Sequence, residues 1–236
     1  MSYTTPKNSL SFTVRGRYAL FTDPLTRIGG EKCSYHIPTY EAIKGITESI
    51  YWKPTFTWVI DRVRIINPIR TEAKNMKPIN ISGGNSLATY TYLSKVEYQV
   101  VAHFEWNSHR EDLEHDRQEG KHFQVAQRML KKGGRRDIFL GTRECQGYVE
   151  PCEFGSGVSF HDDAGELGYG LMFHGFDYPD TIGKSELHSR FWHALVRNGV
   201  IDYPHPTSSD ITRRFVREME ANRPQTEGLN EKGLFE

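Results

Sequence analysis

In SLSFTVRGRY (residues 9–18), Leu10, Phe12 and Val14 alternate with polar neighbours, the period of a strand with one buried face. The other face carries Arg15 and Arg17. Past the loop DPLTRIGGEKCSYHIP the period changes. In PTYEAIKGITESIYW, Ala42, Ile43, Ile46 and Ile50 recur at helical spacing, with proline near the start and Pro54 forbidding continuation. TFTWVIDRVRIINPI is β-branched and aromatic, a strand closed by Pro68, and KNMKPINISGGNS reads as a polar loop. ATYTYLSKVEYQVVAHFEW has the cleanest alternation in the chain, with Val96, Tyr98, Val100, Ala102, Phe104 and Trp106 on one face. Residues 119–137, EGKHFQVAQRMLKKGGRRD, predict a second helix that turns Phe123, Ala126, Met129 and Leu130 to a sheet and stops at Gly133–Gly134. DIFLGTRECQGYVEP adds a strand and a turn.

The order β-α-β-β-α-β is the ferredoxin-like (RRM-like) arrangement, an α+β class in which two helices back an open antiparallel sheet. Many RNA-recognition folds are built this way. Beyond Pro151 the texture changes. GELGYGLMFHGFDYPD is glycine- and aromatic-rich strand material, and SELHSRFWHALVRNGVIDYP reads as a short helix ended by Gly199, then a strand. The expected organisation is a ferredoxin-like domain over 1–150, a small antiparallel β domain over 151–220, and a polar, mobile tail over 221–236.

No run among the 236 residues approaches the roughly 20 apolar positions of a membrane span, and MSYTTPKNSLSF lacks the basic and apolar regions of a signal peptide. Cys33, Cys145 and Cys152 form no C-x-x-C pair, so neither a disulfide framework nor a structural zinc site is expected. A cytosolic protein follows. Net charge is zero, yet its distribution is uneven. Arg117 to Arg143 holds eight basic residues against Glu119 and Asp137, a local excess of 6. No Lys or Arg then occurs before Lys184, while Glu150, Glu153, Asp162, Asp163, Glu166, Asp177 and Asp180 accumulate. The basic face suits a polyanion. The acidic bias between 144 and 183 favours a protein contact for the C-terminal unit.

Metal-independent RNA cleavage needs a base for the 2′-hydroxyl, a cation for the charge on phosphorus and an acid for the departing 5′-oxygen. Lys121 and His122 offer two such groups after Gly120, at a helix start whose free amides would favour a phosphate. Neighbours on a helix point ~100° apart, so one phosphate meets both only between them or at that start. Tyr51, in IYWKP, ends the first helix, where a ferredoxin-like unit lets one helix end approach the start of the other. Alone, a KH pair is an ordinary surface dipeptide and Tyr51 an ordinary helix-end aromatic. The histidines His103, His109 and His115 recur every six residues, matching neither helix nor strand faces. His161-Asp162-Asp163 could ligate a hard cation or simply make a turn. No metal or other cofactor is expected.

Taken together, IYWKP, GKHF leading into KKGGRRDIFLGTRECQGYVEP, GELGYGLMFHGFDYP and FWHALVRNGVIDYP resemble the Dvulg-subtype (type I-C) branch of the fifth CRISPR-associated protein family, within the RAMP superfamily. The resemblance runs from the first strand to about residue 205. It implies a metal-independent endoribonuclease that cuts precursor CRISPR RNA in the repeat hairpin, leaving 2′,3′-cyclic phosphate and 5′-hydroxyl ends. It also implies retention of the 5′ handle within the type I-C interference complex. The family's catalytic tyrosine, lysine and histidine fall on Tyr51, Lys121 and His122. Which of them is base and which acid stays open; the working assignment gives His122 acid/base work, Lys121 charge stabilisation and Tyr51 the 2′-hydroxyl. RNA contacts are expected from Arg15, Arg17, Lys53, Arg128, Lys131, Lys132, Arg135 and Arg136. Expected partners are repeat RNA or mature crRNA and the backbone and large subunits of the complex, with duplex DNA a weak secondary ligand and no membrane, in a prokaryotic cytoplasm. Competing readings are a non-catalytic scaffold that binds the 5′ handle, a metal-dependent DNA nuclease using residues 161–163, and a generic RNA-binding module. The last lacks paired RNP aromatics.

Overall fold

A computed structural model describes residues 6–221; most of the polar tail expected over 221–236 lies outside them. The chain runs through β1 (Ser9–Ala19), β2 (Lys32–Cys33), α1 (Tyr40–Ile50), β3 (Phe56–Ile65), β4 (Thr71–Met76), β5 (Ala88–Trp106), a 3-10 turn (Glu111–Asp116), α2 (Glu119–Lys131), β6 (Ile138–Phe139) and β7 (Gln146–Pro151). Then follow β8 (Glu166–Asp177), the single-turn α3 (Pro179–Ile182), β9 (Glu186–Arg197), β10 (Val200–Asp202) and β11 (Thr212–Glu218). This is a mixed fold, a large antiparallel sheet with few helices.

The middle of the sheet has the order β3-β5-β1-β7, every neighbouring pair antiparallel. β5 serves two sets of partners. Its first half pairs with β4, its second with β1 and β3, and Lys95 between them takes φ 53°. α1 starts where the Thr39 hydroxyl accepts the Ala42 N–H, and it buries Tyr40, Ile43, Ile46, Thr47 and Ile50 at helical spacing. α2 buries the stripe His122, Ala126 and Leu130. Phe12, Val14, Trp58, Ile60 and Val100 join these in one apolar cluster.

Two sequence expectations are corrected. Thr71–Met76 is a strand, so the polar loop starts later than its composition suggested. Glu186–Arg197 is also a strand, not a helix. Arg190, Trp192, Ala194 and Val196 are buried at period 2, and Asn198 and Gly199 (φ 47° and 74°) form a tight turn into β10. β10 pairs with β3, so the strands after Pro151 extend the same sheet. They share its core too. Tyr203 donates its hydroxyl to the Pro38 carbonyl (2.6 Å), and His174 stacks on Tyr40 with ring centroids 4.0 Å apart.

Candidate active site

α1 ends because Tyr51 turns to an extended conformation three residues before Pro54. Its N–H still closes the helix onto the Thr47 carbonyl, and its own carbonyl accepts Trp58 Nε1–H at 2.7 Å. The ring is thereby held against Phe56 and is 3% exposed. α2 begins nearby, and its stripe spacing turns His122 inward at 0% exposure, walled by Phe56 and Trp106. The two side chains, 71 residues apart, meet: Tyr51 Oη lies 2.9 Å from His122 Nδ1.

The other imidazole nitrogen defines the proton positions. His122 Nε2 lies 2.7 Å from the main-chain carbonyl oxygen of Asp116, which can only accept. Nε2 therefore carries the hydrogen, Nδ1 presents a lone pair, and the Tyr51 hydroxyl donates to it. Burial, then the Asp116 charge, push the Tyr51 hydroxyl pKa up, with Arg135 opposing, so the phenol keeps its proton.

Lys121 diverges from His122, as adjacent helix positions must. Its side chain is half exposed, and Nζ donates to Asp116 Oδ1 at 2.6 Å. Lys121 and His122 therefore do not converge on one exposed point, because His122 is buried. Asp116 joins the group. Its Oδ2 accepts the Thr55 hydroxyl at 2.9 Å and lies 3.3 Å from His122 Nε2. The Lys121 hydrogen bond, then that from Thr55, hold its carboxyl at about 2 against the opposing effect of desolvation. Asp116 and Thr55 went unseen in the sequence. The only signal for Asp116 was an acidic EDLEHD run five residues before Lys121, at no periodic spacing.

The expected RNA-binding residues fall in several places. Gly133 and Gly134, at φ 86° and 110°, turn the chain after α2 so that Arg135 and Arg136 N–H groups cap the Ser49 and Ile50 carbonyls at the end of α1. Lys132, Arg135 and Arg136 then line an open groove of about 640 Å³ together with Gln146 and Tyr148, whose ring is 62% exposed. Arg15 and Arg17 are exposed on β1 alongside, Arg15 opposite Tyr148 in register and 3.3 Å from Glu150. Lys53 is exposed beyond Tyr51, and Arg128 and Lys131 lie on the solvent side of α2.

The cation-site candidates are used otherwise. Asp162 binds the buried Arg64 (2.8 and 3.0 Å) and the Ser159 N–H, and His161 Nε2 meets the Asn67 carbonyl, so residues 161–163 form a turn clamped onto β3. His103 pairs with Asp61 at 2.9 Å. Among the described residues, no three His, Cys, Asp or Glu side chains are grouped to hold a metal ion, and no helix is long and apolar enough to cross a membrane.

Comparison with known proteins adds an independent line. The family described as CRISPR-associated protein (Cas_Cas5) matches residues 9–204. A Thermus thermophilus protein named CRISPR pre-crRNA endoribonuclease Cas5d is 27% identical over 228 residues, covering 86% of this chain and 95% of that one. A protein of the same name from Mannheimia succiniciproducens is 26% identical over 245 residues, covering 87% and 99%. A crystal structure of a CRISPR-associated protein superposes with a TM-score of 0.72 at 35% identity, covering 90% of this chain and 99% of that one.

Proposed function

This chain belongs to the CRISPR-associated Cas5 family, in its Cas5d branch, and from that premise we propose that it is an endoribonuclease that cuts precursor CRISPR RNA. The cut is metal-independent, falls within the repeat hairpin, and leaves a 2′,3′-cyclic phosphate and a 5′-hydroxyl. The observation that carries this mechanism is the 2.9 Å contact between Tyr51 Oη and His122 Nδ1 beside an exposed lysine.

His122 has no exposed surface and Tyr51 keeps a narrow edge of 3%, so the acid/base work of His122 passes through its hydrogen bond to Tyr51. The 2′-hydroxyl gives its proton to the tyrosine oxygen as the tyrosine's own proton moves to His122 Nδ1. The 2′-oxygen bonds to phosphorus, and the bond from phosphorus to the 5′-oxygen breaks. Lys121 leaves Asp116 for the phosphate, offsets the extra negative charge and gives a proton to the departing 5′-oxygen. Solvent restores both side chains.

The antiparallel order β7-β1-β5-β3 with α1 and α2 between its strands supports a ferredoxin-like unit over 1–150. In this reading the groove lined by Lys132, Arg135 and Arg136 grips RNA backbone and Tyr148 offers a face for a base, while Arg15, Arg17, Lys53, Arg128 and Lys131 extend the basic surface. Residues 151–220 are the unit that meets other interference-complex subunits while the 5′ handle is kept. Exposed Val158 and Phe160 in an acidic segment support that role.

The complete burial of His122 favours one second reading, a scaffold in which the Tyr51 contact is a core hydrogen bond. The test is a repeat hairpin incubated in EDTA with wild type, Tyr51→Phe and His122→Ala. The proposal expects wild type to cleave, and both variants to bind RNA normally and cleave at least about 100-fold more slowly. Cleavage by His122→Ala at the wild-type rate sinks the assignment, and an inert wild type supports the scaffold.

A further inference from the structure

We infer that Asp116 is a positioning residue for this reaction, holding Lys121 through its carboxylate and His122 through its main-chain carbonyl; the inference rests on the proposed endoribonuclease reading. One residue touches two of the three proposed catalytic side chains, at 2.6 Å to Lys121 Nζ and 2.7 Å to His122 Nε2. Thr55, buried where β3 begins, pins the carboxylate from the other side at 2.9 Å. Glu111, Asp112 and Glu114 on the same turn are exposed, whereas Asp116 turns inward.

The arrangement does two things. The carbonyl selects the imidazole tautomer whose Nδ1 lone pair faces Tyr51. When a proton arrives at Nδ1, the carboxylate 3.3 Å from Nε2 stabilises the imidazolium that forms. Meanwhile Lys121 stays engaged until a phosphate replaces the carboxylate as its partner. The groups that face His122 are Tyr51 from the end of α1 and Asp116 from the turn, with Lys121 next to it on α2 directed to the Asp116 carboxylate. Arg135 lies beyond Tyr51, and Phe56 and Trp106 are the apolar walls.

Asp116→Asn keeps shape and removes charge. It is examined in the full chain by nitrogen-15 NMR of Lys121 Nζ and the His122 ring at fixed pH, and by single-turnover cleavage of a repeat hairpin in EDTA. Loss of the carboxylate is expected to shift the Lys121 Nζ resonance, whose ion-pair partner is gone, while the His122 ring keeps its tautomer on the unchanged main-chain carbonyl. The rate at saturating RNA should fall at least about tenfold, with RNA affinity unchanged or tighter, since a negative charge near the RNA is gone. Asp116→Glu should recover part of the rate, and Thr55→Val should lose rate in the same direction by less. Wild-type Lys121 resonances together with a wild-type rate in Asp116→Asn overturn the inference. So does a rate loss matched by an equal loss of RNA affinity, the mark of a purely structural role. If the endoribonuclease reading itself fails, wild type leaves the hairpin intact, and the NMR spectrum still decides whether Asp116 holds Lys121 and His122.

Discussion

Tyr51 and Lys121 belong to one proposed site but are held by different forces, so their substitutions separate stability from chemistry. Tyr51→Phe strips the partner from a fully buried Nδ1 and should cost about 1–3 kcal/mol in chemical denaturation as well as cleavage. Lys121→Ala removes a half-exposed side chain and should change stability by no more than about 0.5 kcal/mol while slowing cleavage. The legibility of the site follows the same division. Lys121 and His122 sit together in the sequence, and Tyr51 follows from its place at the end of the first helix together with the family resemblance. Asp116 and Thr55 were invisible because a 3-10 turn and the entry to β3 bring them in. Neither has a period to read.

At the scale of elements, periodicity located α1, α2, β1 and β5, and β-branched and aromatic composition located β3. Periodicity failed at β9. Phe191 lies across from Phe173 on β8 while Trp192 packs in the core, so both faces are apolar and the period-2 signal blurs. The Asn198-Gly199 turn was the better clue. Gly199 sits at φ 74° with the His161 Cβ where a side chain would go, and Gly199→Ala should destabilise by roughly 1–3 kcal/mol in thermal or urea unfolding. The loop after α2 makes a separate prediction. Arg135→Ala with Arg136→Ala should weaken RNA binding and flatten the slope of log affinity against log salt by about 1 to 2, measured by titration at several salt concentrations. An unchanged slope would place the RNA backbone elsewhere.

Across the whole molecule, the strands after Pro151 are joined to the rest by the β10–β3 pairing, by the Tyr203–Pro38 bond and by a charged network at the end of β5. In that network Glu105 reaches both His103 (3.5 Å) and His205 (3.2 Å). Burial alone would lower the His103 pKa, but its bonds to Asp61 and Glu105 outweigh it and carry the ring to about 9 from 6.5. A raised folded pKa stabilises fully below about 6.5 and loses its effect as pH rises through about 9. Thermal midpoints should therefore fall over that window in wild type more than in His103→Gln; parallel curves would refute the coupling. In the proposed reaction this fold cuts repeat RNA with its own side chains. The most direct measurement is end mapping of a cognate repeat transcript incubated with the wild-type protein in EDTA. The expected result is a single cut in the hairpin with 2′,3′-cyclic phosphate and 5′-hydroxyl ends. Cleavage that requires a divalent metal, or that leaves 3′-hydroxyl and 5′-phosphate ends, would contradict it.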